Sequence, residues 1–455
     1  MSTIPNPADQ STLDQMRPPE FVELLLPDCN GLLRGKRVEG DKLHKVYKNG
    51  INLPLSTLAC EITGECNEDS GLGLDIGDKD TFCYPIPGSL ASIDWNSRPS
   101  AQLLLDIVDE SGKSFTGNPR VVLQHCLERI NAMGFYPVIA VELEFFLLDQ
   151  NNTTSGAPQP PINPASGQRD DNTQVYYLAD LESYSDFIED VRQTAKAQNI
   201  PAEAAVAEYA PGQFEINVSH SDDILKACDE AILLKRVIKS VARKHNFQAT
   251  FMAKPYADTA GSGTHIHISL LDKDGNNVFA APEGEPTEAM QHALGGLQQT
   301  MRDAMLMFAP NANSYRRFQK DSYVPMNPHW SYNNRTVALR IPYSDEANTR
   351  IEHRVAGADA NPYLVVAAVL AGITTGLENK LDCTPAIEGN AYEKTQATNP
   401  RHWQEAIALF ADSEWAKEAF GETFHNLFCC IKNSEMEVFH SQITPLEFDW
   451  YLNSV

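Results

Sequence analysis

The 455-residue sequence lacks the features that mark several classes of protein. None of its nine cysteines belongs to a C-x-x-C pair, which predicts reduced thiols and neither a disulfide framework nor a zinc site. No apolar run approaches the roughly 18 residues that span a bilayer. The segment MSTIPNPADQ has no basic stretch followed by an apolar one, as a secretory signal would. We therefore expect a cytoplasmic protein without a membrane partner.

Basic residues are scarce, because 36 Lys and Arg stand against 61 Asp and Glu, for a formal net charge of −25. Such a surface repels a phosphate backbone, so nucleic acid is not expected as a partner. The length predicts two domains, or one large domain with an appendage. The patterns indicate a polar, flexible arm at 1–18, a small β-rich domain at 19–115, and a mixed domain of strands and long helices at 116–455.

A pair of carboxylates lies in the segment YPVIAVELEFFLL, residues 136–148, which alternates as a strand does. Glu142 and Glu144 project from the same face, about 7 Å apart along the strand. Their neighbours on that face are apolar, and buried like charges need a compensating cation. A solvated strand face is the alternative, but the pattern favours metal ligands.

A second pair lies in EAAVAEYAPGQFEINV, residues 203–218, where Pro211 and Gly212 indicate a turn. A two-residue loop at that point would place Glu208 directly opposite Glu215. Opposed carboxylates destabilise a bare hairpin, and a cation between them would reverse the effect. A longer turn would leave only proximity between the two side chains.

Two histidines follow a loop of small residues in GSGTHIHISL, residues 261–270. The alternation predicts that His265 and His267 share one strand face. The Gly-Ser-Gly loop would let backbone N–H groups approach an anionic or polar ligand. A lone histidine is more often structural, but two after such a loop favour a functional site. Imidazole could complete an oxygen-rich site for Mg²⁺ or Mn²⁺.

Arginines flank a further carboxylate in RIEHR, residues 350–354. Arg350, Glu352 and Arg354 alternate and therefore share one face of a strand. They could form an ion-pair ladder, or a metal ligand beside two groups that bind phosphate or carboxylate. Together with the carboxylates and histidines, they predict phosphoryl transfer assisted by two divalent cations.

These segments resemble the type I glutamine synthetase family over nearly the whole chain. The run K-P-Y-x-x-x-A-G-S-G-x-H-x-x-x-S, residues 254–269, is similar to the ATP-region signature of the family. Further motifs in the same order as in the family are E-L-E (142–144), E-x-x-P-G-Q-x-E (208–215), N-S-Y-R-R (313–317), N-R-T-x-x-L-R-I-P (334–342), R-I-E-x-R (350–354) and A-N-P-Y (360–363). The resemblance implies an α+β protein of the glutamine synthetase fold, with an N-terminal β-grasp domain and a C-terminal catalytic α/β domain built on an antiparallel sheet. It also implies a dodecamer whose sites are shared between neighbouring subunits.

The resemblance implies a role for each motif residue. It implies two metal sites, one formed by Glu144, Glu208 and Glu215, and the other by Glu142, His265 and Glu352. The positions that match ATP contacts are Glu203, His267, Ser269 and Arg350. The positions that match the surroundings of glutamate and the transferring phosphate are Gly261, Arg317, Arg335, Arg340 and Arg354.

The sequence departs from the family pattern in the flap segment, residues 317–325 (RFQKDSYVP). Ammonia-using members carry a glutamate where this chain has Tyr323, and a tyrosine with pKa near 10 holds no fixed charge at pH 7. Glu61 matches an aspartate of the ammonium site, and Ala347 stands where a lysine is expected near the nucleotide. Arg335, Tyr323 and Glu61 are the implied catalytic residues.

This departure predicts an ATP-dependent ligase that joins the γ-carboxylate of glutamate to an organic amine, as in the γ-glutamylputrescine and γ-glutamylpolyamine branch. An acyl phosphate would form first, and the amine would then displace phosphate. The distal ammonium of a diamine would meet Glu61, Tyr323 or Trp330 by ion pairing or cation–π contact. A glutamine synthetase that uses ammonia and a non-catalytic homologue are the alternatives. Tyr392 is the nearest candidate for nucleotidylation, but its flanking residues favour a plain surface tyrosine.

Overall fold

A computed structural model describes residues 6–151, 153, 156–171, 173–281 and 286–455. The strands of its N-terminal part form one six-stranded sheet in the order β2-β1-β6-β4-β3, with β5 beside β6. Strand β1 runs parallel to β6, and the other pairs in this sheet are antiparallel. The strands are β1 (Phe21–Pro27), β2 (Leu33–Glu39), β3 (Ile51–Pro54), β4 (Asp80–Pro85), β5 (Ala91–Ile93) and β6 (Ser100–Ile107).

The second sheet has eight strands in the order β12-β13-β14-β11-β7-β9-β8, with β10 beside β7. Among the described strands of this second sheet, only the short β12–β13 pair is parallel, so the predicted antiparallel sheet is confirmed. The strands are β7 (Tyr136–Asp149), β8 (Ala202–Ala207), β9 (Gln213–Ser221), β10 (Phe247–Thr250), β11 (Thr264–Leu271), β12 (Trp330–Tyr332), β13 (Leu339–Ile341) and β14 (Ile351–His353).

Helices surround both sheets. They are α1 (Pro7–Gln15), α2 (Leu43–Asn49), α3 (Pro119–Ala132), α4 (Leu178–Ser183), α5 (Ser185–Ala197), α6 (Ile224–Lys244), α7 (Glu288–Thr300), α8 (Met305–Phe308), α9 (Pro362–Asn379), α10 (Ala391–Lys394), α11 (Trp403–Asp412), α12 (Glu414–Phe420), α13 (Glu422–Ser441) and α14 (Pro445–Tyr451). The start of α3 follows from its sequence, because Asn118 accepts a hydrogen bond from the Arg120 N–H and Pro119 needs no N–H partner.

The apolar helix α9 requires a correction to the expectation that no segment could span a membrane. By length and composition alone, Pro362–Asn379 could cross a bilayer. However, 83% of it is buried inside the fold, where it packs against α3 and α7. A helix that is apolar on all sides is suited to the interior of a large domain.

The predicted flexible arm contains a helix. Residues Pro7–Gln15 form α1, and the buried Asp9 side chain accepts a hydrogen bond from the Leu90 N–H at 3.1 Å. A polar composition suggested a loose segment, but this contact and the packing of Leu13 and Met16 against the hydrophobic core attach the N-terminal segment to the fold. Residues 1–5 of the predicted arm lie outside the described residues, and the predicted domain limits stay a prediction.

Candidate active site

The centre of the second sheet brings predicted metal ligands together. Strands β7 and β11 pair so that Glu142 lies opposite His265. The Glu142 carboxylate lies 2.9 Å from His265 Nδ1 and 2.7 Å from His267 Nε2. One carboxylate therefore contacts both histidines, which share a strand face as the alternation in residues 264–271 predicts.

The second glutamate of β7 is held by the glycine loop. Gly263 donates its N–H to Glu144 Oε2 at 2.7 Å, and the Glu144 N–H donates to the Gly263 carbonyl at 3.2 Å. We expected the N–H groups of this loop to approach a ligand, but in the structure this one binds a carboxylate of the protein. Glu144 also pairs with Glu215 across β7 and β9, and its Oε1 lies 3.8 Å from His265 Nε2.

Two groups of side chains could each hold a metal ion. The first is Glu142, His265 and Glu352, which is the second ligand set that the resemblance implies. The other is Glu144, Glu215 and His265. The ligand atoms of each group lie within 4.8 Å of one another. His265 thus belongs to both groups, and it takes the place that we expected for Glu208.

The turn before β9 is longer than a two-residue loop, so the predicted opposition of Glu208 and Glu215 is wrong. The Glu208 N–H donates to the Gln213 carbonyl at 2.9 Å, and Glu215 lies opposite Val206. Four residues, 209–212, form the turn, and Gly212 has a φ of +71° that favours glycine. Only the proximity of the two side chains is retained, since the charge of Glu208 still acts on Glu215.

The pKa shifts of these carboxylates reflect how closely the side chains lie to one another. Burial, followed by the charges of Glu142, Glu144 and Glu208, raises the pKa of Glu215 to about 9. Burial and the charge of Glu144 raise the pKa of Glu208 to about 7, although Arg335 opposes this. Burial also works against the ionised form of Glu142, but its bonds to His265 and His267 outweigh that effect and lower its pKa. The site therefore has too few positive charges for its carboxylates, a deficit that divalent cations would correct.

Arginines border the cluster on the side of Glu352. Arg340 Nη1 lies 2.7 Å from Glu352 Oε2, and Arg354 bonds the other oxygen of the same carboxylate. Burial opposes ionisation of Glu352, but the charges of Arg354, His265 and His267 lower its pKa to about 2. The Nε atoms of both arginines are buried and have no hydrogen-bond partner among the described residues. These free donors suit an anionic ligand.

Arg317 lies behind the glycine loop. Its Nη1 donates to the Val355 carbonyl at 3.2 Å, and its Nε is buried without a partner. Burial lowers its pKa, against the opposing charge of Glu144. A Cβ added to Gly261 would lie 2.6 Å from both the Ala253 carbonyl oxygen and Arg317 Cγ. Glycine is thus required where the loop meets this arginine.

A cavity of about 320 Å³ opens beside Glu142. All four residues that match ATP contacts line it: Glu203, His267, Ser269 and Arg350. Arg350 Nε lies 3.1 Å from His267 Nδ1, while the other nitrogen of that ring contacts Glu142. Ala347 also lines the cavity, so its mouth has no cation at the position where a lysine was expected.

The predicted amine-site residues are dispersed. Tyr323 is 61% exposed on the flap segment. Glu61 lies in the N-terminal part, only 4% exposed, where its carboxylate accepts a hydrogen bond from Asn67 Nδ2 at 3.3 Å. The structure does not bring it to the cluster of the same chain. The exposed Arg335 acts on Glu208 only through its charge.

The structure contradicts the sequence-based interpretations of two aromatic residues, Trp330 and Tyr392. Trp330 is 4% exposed, and its indole N–H donates to the Thr384 carbonyl at 2.6 Å, so it cannot meet an amine at the mouth of the site. Tyr392 is not a plain surface tyrosine, because it is half-buried and its hydroxyl donates to the Val324 carbonyl at 2.8 Å. Both contacts join segments that are far apart in sequence.

Asn217 is a candidate site residue that the sequence analysis missed. It lies opposite Glu142 in the β7–β9 pair and lines the cavity, and its Oδ1 is buried without a hydrogen-bond partner. The signal was present, since Asn217 is two residues beyond Glu215 and therefore shares its strand face.

Known proteins resemble this chain over nearly its whole length. The family described as glutamine synthetase, catalytic domain, matches residues 116–451. Gamma-glutamylputrescine synthetase PuuA of Escherichia coli (strain K12) is 44% identical, over 96% of this chain and 92% of that protein. Glutamate–isopropylamine ligase of Pseudomonas sp is 34% identical, over 96% and 95%. A solved structure titled "GmaS/ADP complex-Conformation 1" is 26% identical, with a TM-score of 0.84 over 99% of this chain and 100% of that chain.

Proposed function

Because the chain belongs to the glutamine synthetase family, we propose that it joins glutamate to putrescine or another polyamine, with ATP converted to ADP and phosphate. Its fold is that of the family, and it is a carbon–nitrogen ligase of the glutamate–amine class. The proposal concerns the amine, the site residues and the assembly. The product would be a γ-glutamyl amide.

The clustered carboxylates and imidazole fit two divalent cations of the Mg²⁺ or Mn²⁺ type. Glu142, His265 and Glu352 would hold one, and Glu144 and Glu215 with Glu208 or His265 would hold the other. Such cations, when bound, neutralise charge on a transferring phosphoryl group. The raised pKa values of Glu208 and Glu215 support the assignment, because these groups ionise fully only beside added positive charge.

The chain's own residues would arrange the two reacting anions. Glu203, His267, Ser269 and Arg350 line the cavity proposed for the nucleotide. Arg317 and Arg354 each offer an unpaired buried Nε to the glutamate substrate and its phosphorylated form. The γ-carboxylate oxygen of glutamate attacks the γ-phosphorus of ATP, ADP leaves, and an acyl phosphate results. Arg335, with its exposed guanidinium, is proposed to stabilise the charge of that phosphate.

The amine then attacks the acyl carbon, and phosphate leaves with the proton removed from the nitrogen. The observation that carries the choice of an organic amine is Tyr323, which stands where ammonia-using relatives carry a glutamate. Without that carboxylate, position 323 offers no fixed negative charge to ammonium. It offers instead an aromatic face, 61% exposed, to a longer amine.

The position of Glu61 supports a shared site. Its carboxylate accepts a hydrogen bond from Asn67, and the hydrogen bonds among the described residues do not join it to the β7–β11 cluster of its own chain. We therefore propose that it serves the cluster of a neighbouring subunit in a cytoplasmic dodecamer. Co-expression of Glu61→Ala and His265→Ala chains should restore part of the activity that each variant lacks alone, because mixed rings would contain some intact sites. Two inactive variants that stay inactive together would contradict a shared site.

An amine screen tests the proposed function directly. The protein is incubated with ATP, Mg²⁺ and glutamate, and phosphate release is measured with putrescine, longer polyamines, short monoamines or ammonium. We expect turnover with putrescine or a longer polyamine and none with ammonium. Turnover with ammonium alone would establish a glutamine synthetase, and no turnover with any amine would favour a non-catalytic homologue.

A further inference from the structure

The flap segment has an unusual backbone. Asp321 has a φ of +60° and Tyr323 a φ of +56°, so two non-glycine residues adopt left-handed conformations within three positions. A bulky residue rarely adopts this conformation unless its surroundings impose it. Contacts with other parts of the chain must therefore hold residues 317–325 in this conformation.

Contacts within the segment account for only part of it. Ser322 Oγ donates to the Gln319 carbonyl at 2.6 Å and to the Arg317 carbonyl at 3.3 Å. These bonds close the first turn of the flap segment, and the Ser322 side chain also bonds the Tyr392 side chain outside the segment. The exposed ring of Tyr323 cannot fix its own backbone by packing.

The missing restraint comes from residues 391–399, which follow the flap segment by about seventy positions. The Tyr392 hydroxyl donates to the Val324 carbonyl at 2.8 Å. Two residues further on, the Met326 carbonyl accepts from the Thr398 and Asn399 N–H groups at 3.0 and 3.1 Å. The far end of the flap segment is thus fastened to a separate part of the chain, and Tyr392 supplies the bond nearest to Tyr323.

The chemistry of Tyr392 suits this role. Burial raises its pKa to about 12, so the hydroxyl stays protonated at neutral pH and can donate to a carbonyl. It is also close enough to Arg317 and Arg354 for their charges to interact with it. One phenol therefore borders both the flap segment and the arginines proposed to bind glutamate.

We infer that Tyr392 is a positioning residue, whose hydroxyl holds the flap segment in the shape that presents Tyr323 to the amine. The inference rests on the proposed function for its consequence in catalysis. The restraint itself does not depend on which reaction the protein performs. The amine specificity of the site would then require Tyr392 as well as Tyr323, although only Tyr323 would meet the substrate.

The test removes only the hydroxyl, in Tyr392→Phe, with Tyr136→Phe as the matched control at an exposed tyrosine on β7. Hydrogen exchange of the backbone amides of residues 318–326 is measured in the full-length protein. Michaelis constants for the amine and for ATP are measured alongside. We expect exchange about fivefold faster or more in Tyr392→Phe, which corresponds to the loss of one hydrogen bond. We also expect a severalfold higher KM for the amine with an unchanged KM for ATP.

Several outcomes of these measurements would overturn the inference. Exchange as slow as in Tyr136→Phe would overturn the inference, since the flap segment would then be held without the hydroxyl. Faster exchange with an unchanged amine KM would also overturn it, because the restraint would not serve amine binding. If the unmodified protein turned over ammonium alone or no amine, the proposed function would fail, and the positioning of Tyr323 for an organic amine would be overturned with it. Faster exchange would then still demonstrate the restraint.

Discussion

His265→Ala is the most informative perturbation of the site, because this one side chain belongs to both groups that could hold a metal. The substitution removes both ring nitrogens, Nδ1 at 2.9 Å from Glu142 and Nε2 at 3.8 Å from Glu144, and it leaves both carboxylates without that neighbour. Loss of one group that stabilises transition-state charge costs about 3 kcal/mol. Weaker binding of both cations should therefore raise the activation barrier by about 6 kcal/mol. At about 1.4 kcal/mol per tenfold, this lowers kcat by about 10⁴-fold.

The assay combines turnover at saturating Mg²⁺ with counting of bound Mn²⁺ by electron paramagnetic resonance. His44→Ala serves as the control, because His44 is exposed in the N-terminal part. Glu144→Ala, which affects one group only, should lose one strongly bound Mn²⁺ and also abolish turnover. If His265→Ala kept two tightly bound Mn²⁺ and a kcat within tenfold of the unmodified protein, the assignment of this imidazole as a shared ligand would be refuted.

Three further variants test other parts of the structure. Tyr323→Glu restores the flap carboxylate and should gain ammonium turnover or raise the KM for the diamine; unchanged kinetics with both amines would show that this position does not select the amine. Asp229→Ala removes a buried ion pair with Arg120, at 2.9 and 3.0 Å, and a hydrogen bond from the Tyr363 hydroxyl. Urea denaturation should therefore show a free energy of unfolding lower by about 3 kcal/mol. A decrease below about 1 kcal/mol would contradict a stabilising role for this pair. Burial raises the pKa of Glu230 from 4.5 to about 7, so the folded state binds its proton more tightly than the unfolded state, and stability falls as pH rises through this window. Glu230→Gln should therefore stabilise the protein at pH 8, by at most about 3 kcal/mol, and have little effect at pH 4.5, whereas equal effects at both values would contradict the assignment.

The strands of the site could be predicted from sequence because side chains alternate between the two faces of a regular strand. The alternation in residues 136–148 placed Glu142 and Glu144 on one face, and the alternation in residues 264–271 did the same for His265 and His267. The pairing of β7 with β11 then joins the two faces. Each strand thus needed only local information, and the family motifs supplied which strands are neighbours.

Features set by contacts between distant segments could not be predicted in this way. The turn at residues 209–212 fixes the register of Glu208, and a Pro-Gly pair fits more than one turn length. Trp330 is buried because Thr384 accepts its N–H, and Asp9 is buried because Leu90 donates to it. Neither partner is recognisable from the local sequence of the residue that it holds.

The difference between residues on paired strands and residues on loops bears on how this fold selects its amine. The groups proposed to bind metal and nucleotide lie mainly on β7, β9, β11 and β14, where backbone pairing fixes each side chain on two sides. Tyr323 lies on a loop whose shape depends on single hydrogen bonds such as that of Tyr392. Loops tolerate change that a central strand does not. Relatives named for putrescine and for isopropylamine share 44% and 34% of their aligned residues with this chain, so differences between amines have room to lie in such loops. Exchange of residues 318–326 between this chain and the isopropylamine ligase should therefore shift the amine preference while the KM for ATP stays unchanged, and a chimera altered in ATP binding alone would contradict this division of roles.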